Sequence, residues 1–475
     1  MLAVVAAVAV SCGKDEERGS LSFEDSARFV SEGDVVTVKF KASHIRTASV
    51  AEWPEGWDKP VMDFAARTIV VTVPSEFNDK TEESGQLNIT GKSDDGSLAR
   101  ASLFIGKVST EDMTARPANC YLVTRKNTNY LFDATRKGSG TERLDTRELK
   151  VIWQTEVNFV KYLQLIDGKA SFYIESEKDG EEKVNAGNAV IGAYDAAGEL
   201  VWSWHVWATD YDPEAAALHY ANGYTVMDRN LGALDNKNST QEEILASYGL
   251  YYQWGRKDPF IGPSDYKASK GSSATMYTPT GGRPELKAEA SSAETGTEEY
   301  AAGNPLVFIT GVAESDYDWL WSGHAEALWA ADTKTVDDPC PYGWRVAPAA
   351  AFEGLSIADD LEAGADEYYD KYGWTLTDGS ISSLYIGAGR RVYTDGKIQN
   401  IYNPLPASRN MATEAQPWIG LYWTADMTQG KSTAFYFYFD KSDVEASRVE
   451  HAVPYTRANG MPVRCVRYEK ESAGK

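Results

Sequence analysis

A chain of 475 residues has room for about three domains, and its 43% hydrophobic content can bury real cores. Seventy acidic side chains against 47 basic ones give a formal charge of −23, which repels phosphate backbones and excludes nucleic-acid binding as a leading function. The 14 Trp and 27 Tyr lean the composition toward β structure and toward rings able to serve as ligand platforms.

The first element is a nine-residue apolar run, Leu2 to Val10, followed by Ser11-Cys12 and Gly13-Lys14-Asp15-Glu16-Glu17. It is about half a membrane span and suits the apolar part of a secretory signal. Small residues before a cysteine resemble the lipobox of bacterial lipoproteins, which implies a signal peptide over residues 1–11 and lipidation at Cys12. Residues 12–20 then read as a flexible tether. The Lys-Asp-Glu-Glu stretch resembles the signal that sends Bacteroidota lipoproteins to the outer face of the outer membrane. A lipid anchor in the cell outer membrane and surface exposure are what that resemblance implies. No Lys or Arg precedes the run, which leaves open a start upstream of Met1. A cytosolic chain with an apolar N-terminus is the plain alternative.

Residues 21–110 alternate with period two. Val36, Val38 and Phe40 share one strand face, Ile69, Val71 and Val73 another, and Leu87 and Ile89 precede the hairpin turn Asp94-Asp95-Gly96. Short strands with turn signals predict an immunoglobulin-like β-sandwich. Pro54-Glu55-Gly56-Trp57 resembles a stretch of the Ig-like modules of Bacteroidota surface lipoproteins.

Residues 115–212 predict a second sandwich-like module. Hairpins are expected at Asp167-Gly168 and at Gly198. The strand after Gly198 has Leu200, Trp202, Trp204 and Val206 on one face and Val201, Ser203, His205 and Trp207 on the other, a pattern of burial on both sides.

Residues 214–470 are more mixed. Ser239 with Glu242 gives a capping-box signature for a short helix ending near Gly249, and Pro348 opens a second through Phe352 and Leu355. Residues 262–305, rich in Ser, Thr, Ala, Gly and Glu, read as a mobile insertion. Strands resume at 384–386, 421–424, 434–439 and 462–466.

Four stretches of this segment resemble the Fibrobacter succinogenes major paralogous domain: Tyr224 to Gly232, Tyr248 to Arg256, Cys340 to Val346, and Tyr422-Trp423-Thr424 leading to Pro462 to Val466. Asn119-Cys120-Tyr121 and Trp202 to His205 resemble a module that often precedes it. After Val346 the chain departs from the pattern, with Ala347, Pro348 and Ala351 where relatives carry Pro-Thr and an acidic residue. The arrangement also resembles the C-type-lectin-like fold, which implies a disulfide between Cys340 and Cys465 and a scaffold used for recognition rather than reaction. Cys120 is left over, either a small buried hydrophobe or paired between chains. The fold expected is therefore mainly β: two β-sandwich modules followed by an α+β, C-type-lectin-like domain.

Catalytic and metal signatures are sparse. His44, His205, His219, His324 and His451 are dispersed, with no HExxH or CxxC, so no metal ligand set is assigned. His205 with Asp210 and Asp212 is the nearest cluster, on a strand end where the side chains diverge. No EF-hand loop appears, and Gln416-Pro417-Trp418 lacks the acid that calcium-dependent lectins place after proline. The absence of a Gly-x-Ser-x-Gly elbow gives no support to nucleophilic catalysis, and no cofactor is implied. Candidate ligand contacts are the loop rings Trp319, Trp321 and Trp329, the strand faces at Tyr436 and Tyr438, and Arg390 with Arg391 for an anionic group. Core packing of the rings and a solvated arginine pair are the alternatives. The leading expectation is non-catalytic adhesion or capture of an extracellular glycan or protein; a structural or tip component of a surface fibre comes second and a polysaccharide-acting enzyme third.

Overall fold

Strands hold 45% of the described residues and helices 5%. The computed structural model describes residues 18–176, 183–265, 270–271, 273–322, 327–358, 372–399, 418–428, 431–439 and 447–468. Cys12 and the expected signal lie outside them. Two compact units divide the chain, Met1–Ser109 and Thr110–Lys475.

In the first unit, alternation becomes two four-stranded sheets around one core. Ser20–Phe23, Val35–Ser43, Thr68–Thr72 and Val61–Asp63 form one sheet. Ala27–Val30, Leu98–Lys107, Ser84–Ser93 and Ile45–Glu52 form the other. Val38, Phe40, Ile69 and Val71 from the first sheet meet Leu87, Ile89, Leu103 and Ile105 from the second. Each such side chain taken out of water contributes about 1.5–3 kcal/mol. The hairpin at Asp94-Asp95-Gly96 forms as the sequence suggests, with Gly96 at a φ of 86° that a side chain would strain.

The second unit opens with two more sheets. One orders Cys120–Val123, Leu200–Ala208, Gly187–Tyr194 and Glu148–Gln154, with the first pair parallel. The other orders Lys161–Ile166, Lys169–Ile174, Thr128–Asp133 and Ser109–Asp112. Tyr121, Trp202, Trp204 and Val206 pack against Tyr130, Phe132 and Phe172, and the Tyr121 and Phe132 rings stack 4.3 Å apart.

The opposite face of Leu200–Ala208 is buried too. Cys120, Trp153, Val190 and Trp207 share one cluster with Trp254, Trp319, Trp344, Trp423 and Val463. The boundary expected near residue 213 therefore separates no compact units, because one sheet is wall to two cores. Burial on both faces was in the strand pattern; what covers the second face was not.

The C-terminal strands gather the four motif stretches. Val226 pairs with Val466, Val346 with Cys465, Tyr252 with Met461, and Trp423 bridges to Val463. The disulfide Cys340–Cys465 closes this cluster, with its Cα atoms 6.1 Å apart.

Three local expectations are corrected. Thr240, not Ser239, caps the helix Gln241–Ser247, and its box partner is Glu243; Ser239 N–H also donates to that carboxylate at 2.8 Å, which is why a one-residue shift reads equally well in sequence. Pro348 opens a 3-10 turn, Ala349–Phe352, that stops before Leu355. The segment expected as a mobile insertion carries the strand Lys287–Ala290, parallel to Val307–Thr310, and the helix Glu298–Gly303. It is anchored by Arg256, which donates to the carbonyls of Ala301, Asn304 and Val307.

Candidate functional site

Most of the candidate ligand contacts turn inward. Trp319 and Trp329 are each 1% exposed. The Trp319 indole donates to the Trp254 carbonyl at 2.8 Å and the Trp329 indole to the Asp337 carbonyl at 3.1 Å. Trp321 is half-buried, its N–H donating to the Gly296 carbonyl. Tyr436 is on the strand face opposite Phe435 and Phe437, as alternation requires, but that face also lies in a core. The Tyr438 side chain lies outside the described residues. Stacking platforms at Trp319, Trp329 and Tyr436 are thus corrected to core packing.

The arginine pair is likewise spent internally. Arg391 donates to the carbonyls of Gly396 and Ile261 and to Ser273 Oγ, and Arg390 makes two hydrogen bonds to Gln399 Oε1. Buried loop carbonyls need donors, and long cationic and indole side chains reach them. Gln253 does the same, bonding the carbonyls of Ile309 and Ala458.

Buried ion pairs sit in the same interior. Lys334 meets Asp338 at 2.6 Å, and Asp338 also accepts from the N–H groups of Cys340 and Val346. Lys257 meets Asp258 at 2.8 Å beside Ser203, and burial pushes its ammonium down while Asp258 pulls it back. Asp337 is partly buried near these groups, and burial raises its carboxyl to about 7. Such pairs fix loop geometry; Lys257, Asp258 and Asp337 line a narrow opening of about 20 Å3 with Glu298.

His205, Asp210 and Asp212 do diverge. Burial pushes His205 down to about 3, so its ring is neutral, and it hydrogen-bonds Asn188 Oδ1 at 2.8 Å. Asp210 and Asp212 instead line an open cleft of about 540 Å3 with Lys183, Tyr211, Arg229, Asp235 and Lys237. That volume lies within the ~300–1,000 Å3 usual for ligand clefts. Lys183 Nζ stands 2.7 Å from Asp210 Oδ2 and Lys237 Nζ 3.5 Å from Asp235 Oδ2. Arg229 forks onto Asp228 at 3.0 and 3.4 Å, and its guanidinium covers the Tyr211 ring at 3.9 Å. The Lys183 hydrogen bond holds the Asp210 carboxyl below its ordinary range, with Arg229 adding to the effect. Among the described residues, no group of three or more His, Cys, Asp or Glu is placed to hold a metal ion.

The cleft was missed in sequence because its members are ordinary charged residues spread over more than fifty positions. Only the Asp-x-Asp at the end of a doubly buried strand marked its place.

No family model matches this chain, and no curated protein matches it. Among solved structures, the D00-D0 domain of intimin aligns over 40% of this chain and 96% of its own, at 10% identity and a TM-score of 0.16. SporoSAG from Toxoplasma gondii aligns over 40% and 95%, at 9% identity and 0.13. The human desmocollin-1 ectodomain aligns over 44% and 45%, at 14% identity and 0.15. TM-scores this low carry no argument about fold or function.

Proposed function

We propose that this chain is a lipid-anchored lipoprotein of a Bacteroidota-type outer membrane, exposed at the cell surface, that recognises an extracellular glycan or protein without transforming it. The cleft chemistry carries the reading. Its three carboxylates, Asp210, Asp212 and Asp235, share the lining with Lys183, Arg229 and Lys237, and Asp210 is held ionised. A carboxylate in that state accepts hydrogen bonds well and delivers a proton poorly, which suits grip rather than acid catalysis.

Two further observations support the setting. The Cys340–Cys465 disulfide belongs to compartments where such bonds persist. Cys12 follows the apolar run at the position a lipid anchor needs. On this reading the first unit is an immunoglobulin-like sandwich. The second joins a β-sandwich to a C-type-lectin-like scaffold of the major paralogous type, whose use is recognition.

The test combines location with binding. Expressed in a Bacteroidota host, the chain should take up labelled palmitate, lose the label in Cys12→Ala, and be shaved by protease from intact cells. The purified full chain should retain a ligand in glycan-array or surface-protein capture screens. An unprocessed leader on cytoplasmic protein with Cys340 and Cys465 reduced overturns the setting, and silence in both screens overturns recognition.

A further inference from the structure

We propose that the cleft lined by Lys183, Asp210, Arg229, Asp235 and Lys237 binds neutral carbohydrate through vicinal hydroxyls, an assignment that rests on the recognition reading above. Three features of the cleft lead to this ligand class.

The first is charge balance. Among the described residues three cations and three anions line the cleft, and Arg229 is further neutralised by Asp228, so the lining holds no net positive charge on a chain carrying −23. An anionic ligand meets the repulsion of the whole chain without a net positive pocket to offset it. A cationic ligand meets Asp210 and Asp235 already paired with Lys183 and Lys237, and Asp212 already accepting from the N–H groups of Glu214 and Ala215.

The second is the pairing itself. Each pair sets a permanent acceptor beside a permanent donor. A hydroxyl is the neutral group that serves both, donating its proton to a carboxylate while its oxygen accepts from an ammonium. Two adjacent hydroxyls can bridge a pair without breaking it. The donors and acceptors are also held in place beforehand. Arg229 is fixed by its fork onto Asp228 and its seat over Tyr211, and Asp212 is oriented by the N–H groups of Glu214 and Ala215. Binding therefore orders few side chains anew.

The third is the remainder of the lining. Val184, Ala186, Ala215, Ala216 and Leu234 are small apolar side chains. They leave space and give C–H faces of a sugar ring something apolar to cover. Because the Tyr211 ring lies beneath Arg229, stacking contributes little and hydrogen bonds to the charged pairs carry the affinity.

The experiment is titration calorimetry with saturation-transfer NMR on the full chain. The probes are manno-, xylo- and malto-oligosaccharides, each with its per-O-methylated counterpart, alongside oligogalacturonate and a mixed Lys/Asp peptide. At least one neutral series should bind, and O-methylation should abolish it. Asp210→Asn and Lys183→Met should each weaken binding by about tenfold or more while the melting curve stays put. Binding that prefers oligogalacturonate or the peptide overturns the proposal. So does sugar binding indifferent to Asp210→Asn and Lys183→Met. If no probe binds but the chain still captures a surface protein, the diol site fails and recognition stands; if capture fails as well, both fall.

Discussion

The two units bury apolar residues by different rules. In residues 18–109 the core follows from alternation, and among the described residues Ser93 is the one polar side chain buried there. In residues 110–475 the interior is crossed by polar atoms: Gln253, Arg256, Lys257, Arg391, Arg457 and Arg464 are all at most 4% exposed. A sandwich satisfies its backbone by sheet pairing, so its core can be purely apolar. The second unit runs irregular chain through its centre, and each unpaired carbonyl there calls for a donor from a side chain. Among the described residues five indoles answer this need, with Trp207 donating to Ala233, Trp254 to Thr424, Trp319 to Trp254, Trp329 to Asp337 and Trp423 to Tyr252. The first core is held mainly by surface area, with Trp57 donating to the Glu82 carbonyl, and the second by area plus a larger set of such bonds between residues far apart in sequence.

The sharpest way to separate the two is to cut a long-range tie. Replacing Cys340 and Cys465 by alanine opens a loop of 125 residues. The second unit should lose about 4–5 kcal/mol through the unfolded state. Denaturant unfolding followed by tryptophan fluorescence should show its transition move far to lower concentration. The first unit's transition should stay where it was. A shift of both together would mean that the units do not unfold independently. The converse cut is Leu103→Ala, at a side chain fully enclosed by the first core. It should cost about 2–5 kcal/mol and shift only the first unit's transition, with Trp53 and Trp57 as its local reporters.

The same contrast explains what could be read in the chain. Val38, Phe40, Ile69 and Val71 declared their face because a strand packed on one side repeats every two residues. Turns at Gly96, Gly168 and Gly198 were legible because each needs a positive φ. Leu200 to Trp207 announced burial on both faces without naming the neighbour. Trp319 and Arg391 were ambiguous for a definite reason: an indole or guanidinium near a loop is equally suited to a ligand or to an orphan carbonyl. Which one it meets depends on the path of chain some 60 to 130 residues away. Tyr436 misled because alternation gives the face but not what covers it. The cleft was illegible for a similar cause, since Lys183 and Asp210 reach it from other parts of the chain than the loop 227–240 that carries Arg229 and Asp235.

A smaller effect probes the buried charges. Burial raises Asp337 to about 7, with Lys257 and Lys137 opposing and Glu298 and Asp258 reinforcing the rise. A carboxyl whose pKa is higher folded than unfolded binds its proton more tightly in the native state. Its contribution therefore favours folding as pH falls from about 7 toward the ordinary carboxylate range, and it is lost as pH rises through about 7. The second unit should gain on the order of 1–3 kcal/mol from this group between pH 8 and pH 5. Asp337→Asn should flatten that slope and raise stability at pH 8, read from melting curves across the range. A slope unchanged in the variant would assign it to other carboxyls.

The least disturbance to folding is expected at the cleft. The side chains of Lys183 and Asp210 are 59% and 50% exposed. An ion pair so wet contributes about 0–1 kcal/mol. Lys183→Met should therefore leave the second unit's transition within about 0.5 kcal/mol of its original position. Interior pairs behave otherwise: Lys334 and Asp338 are 4% and 1% exposed, and removing one partner strands a charge that water cannot reach. A pair that is costly to break is doing structural work. One that breaks freely is within reach of solvent, where an entering group can compete for its donor and acceptor. If Lys183→Met destabilised the unit as Asp338→Ala should, by about 3–5 kcal/mol, the cleft would be one more interior brace and the distinction between grip and scaffold in this unit would vanish.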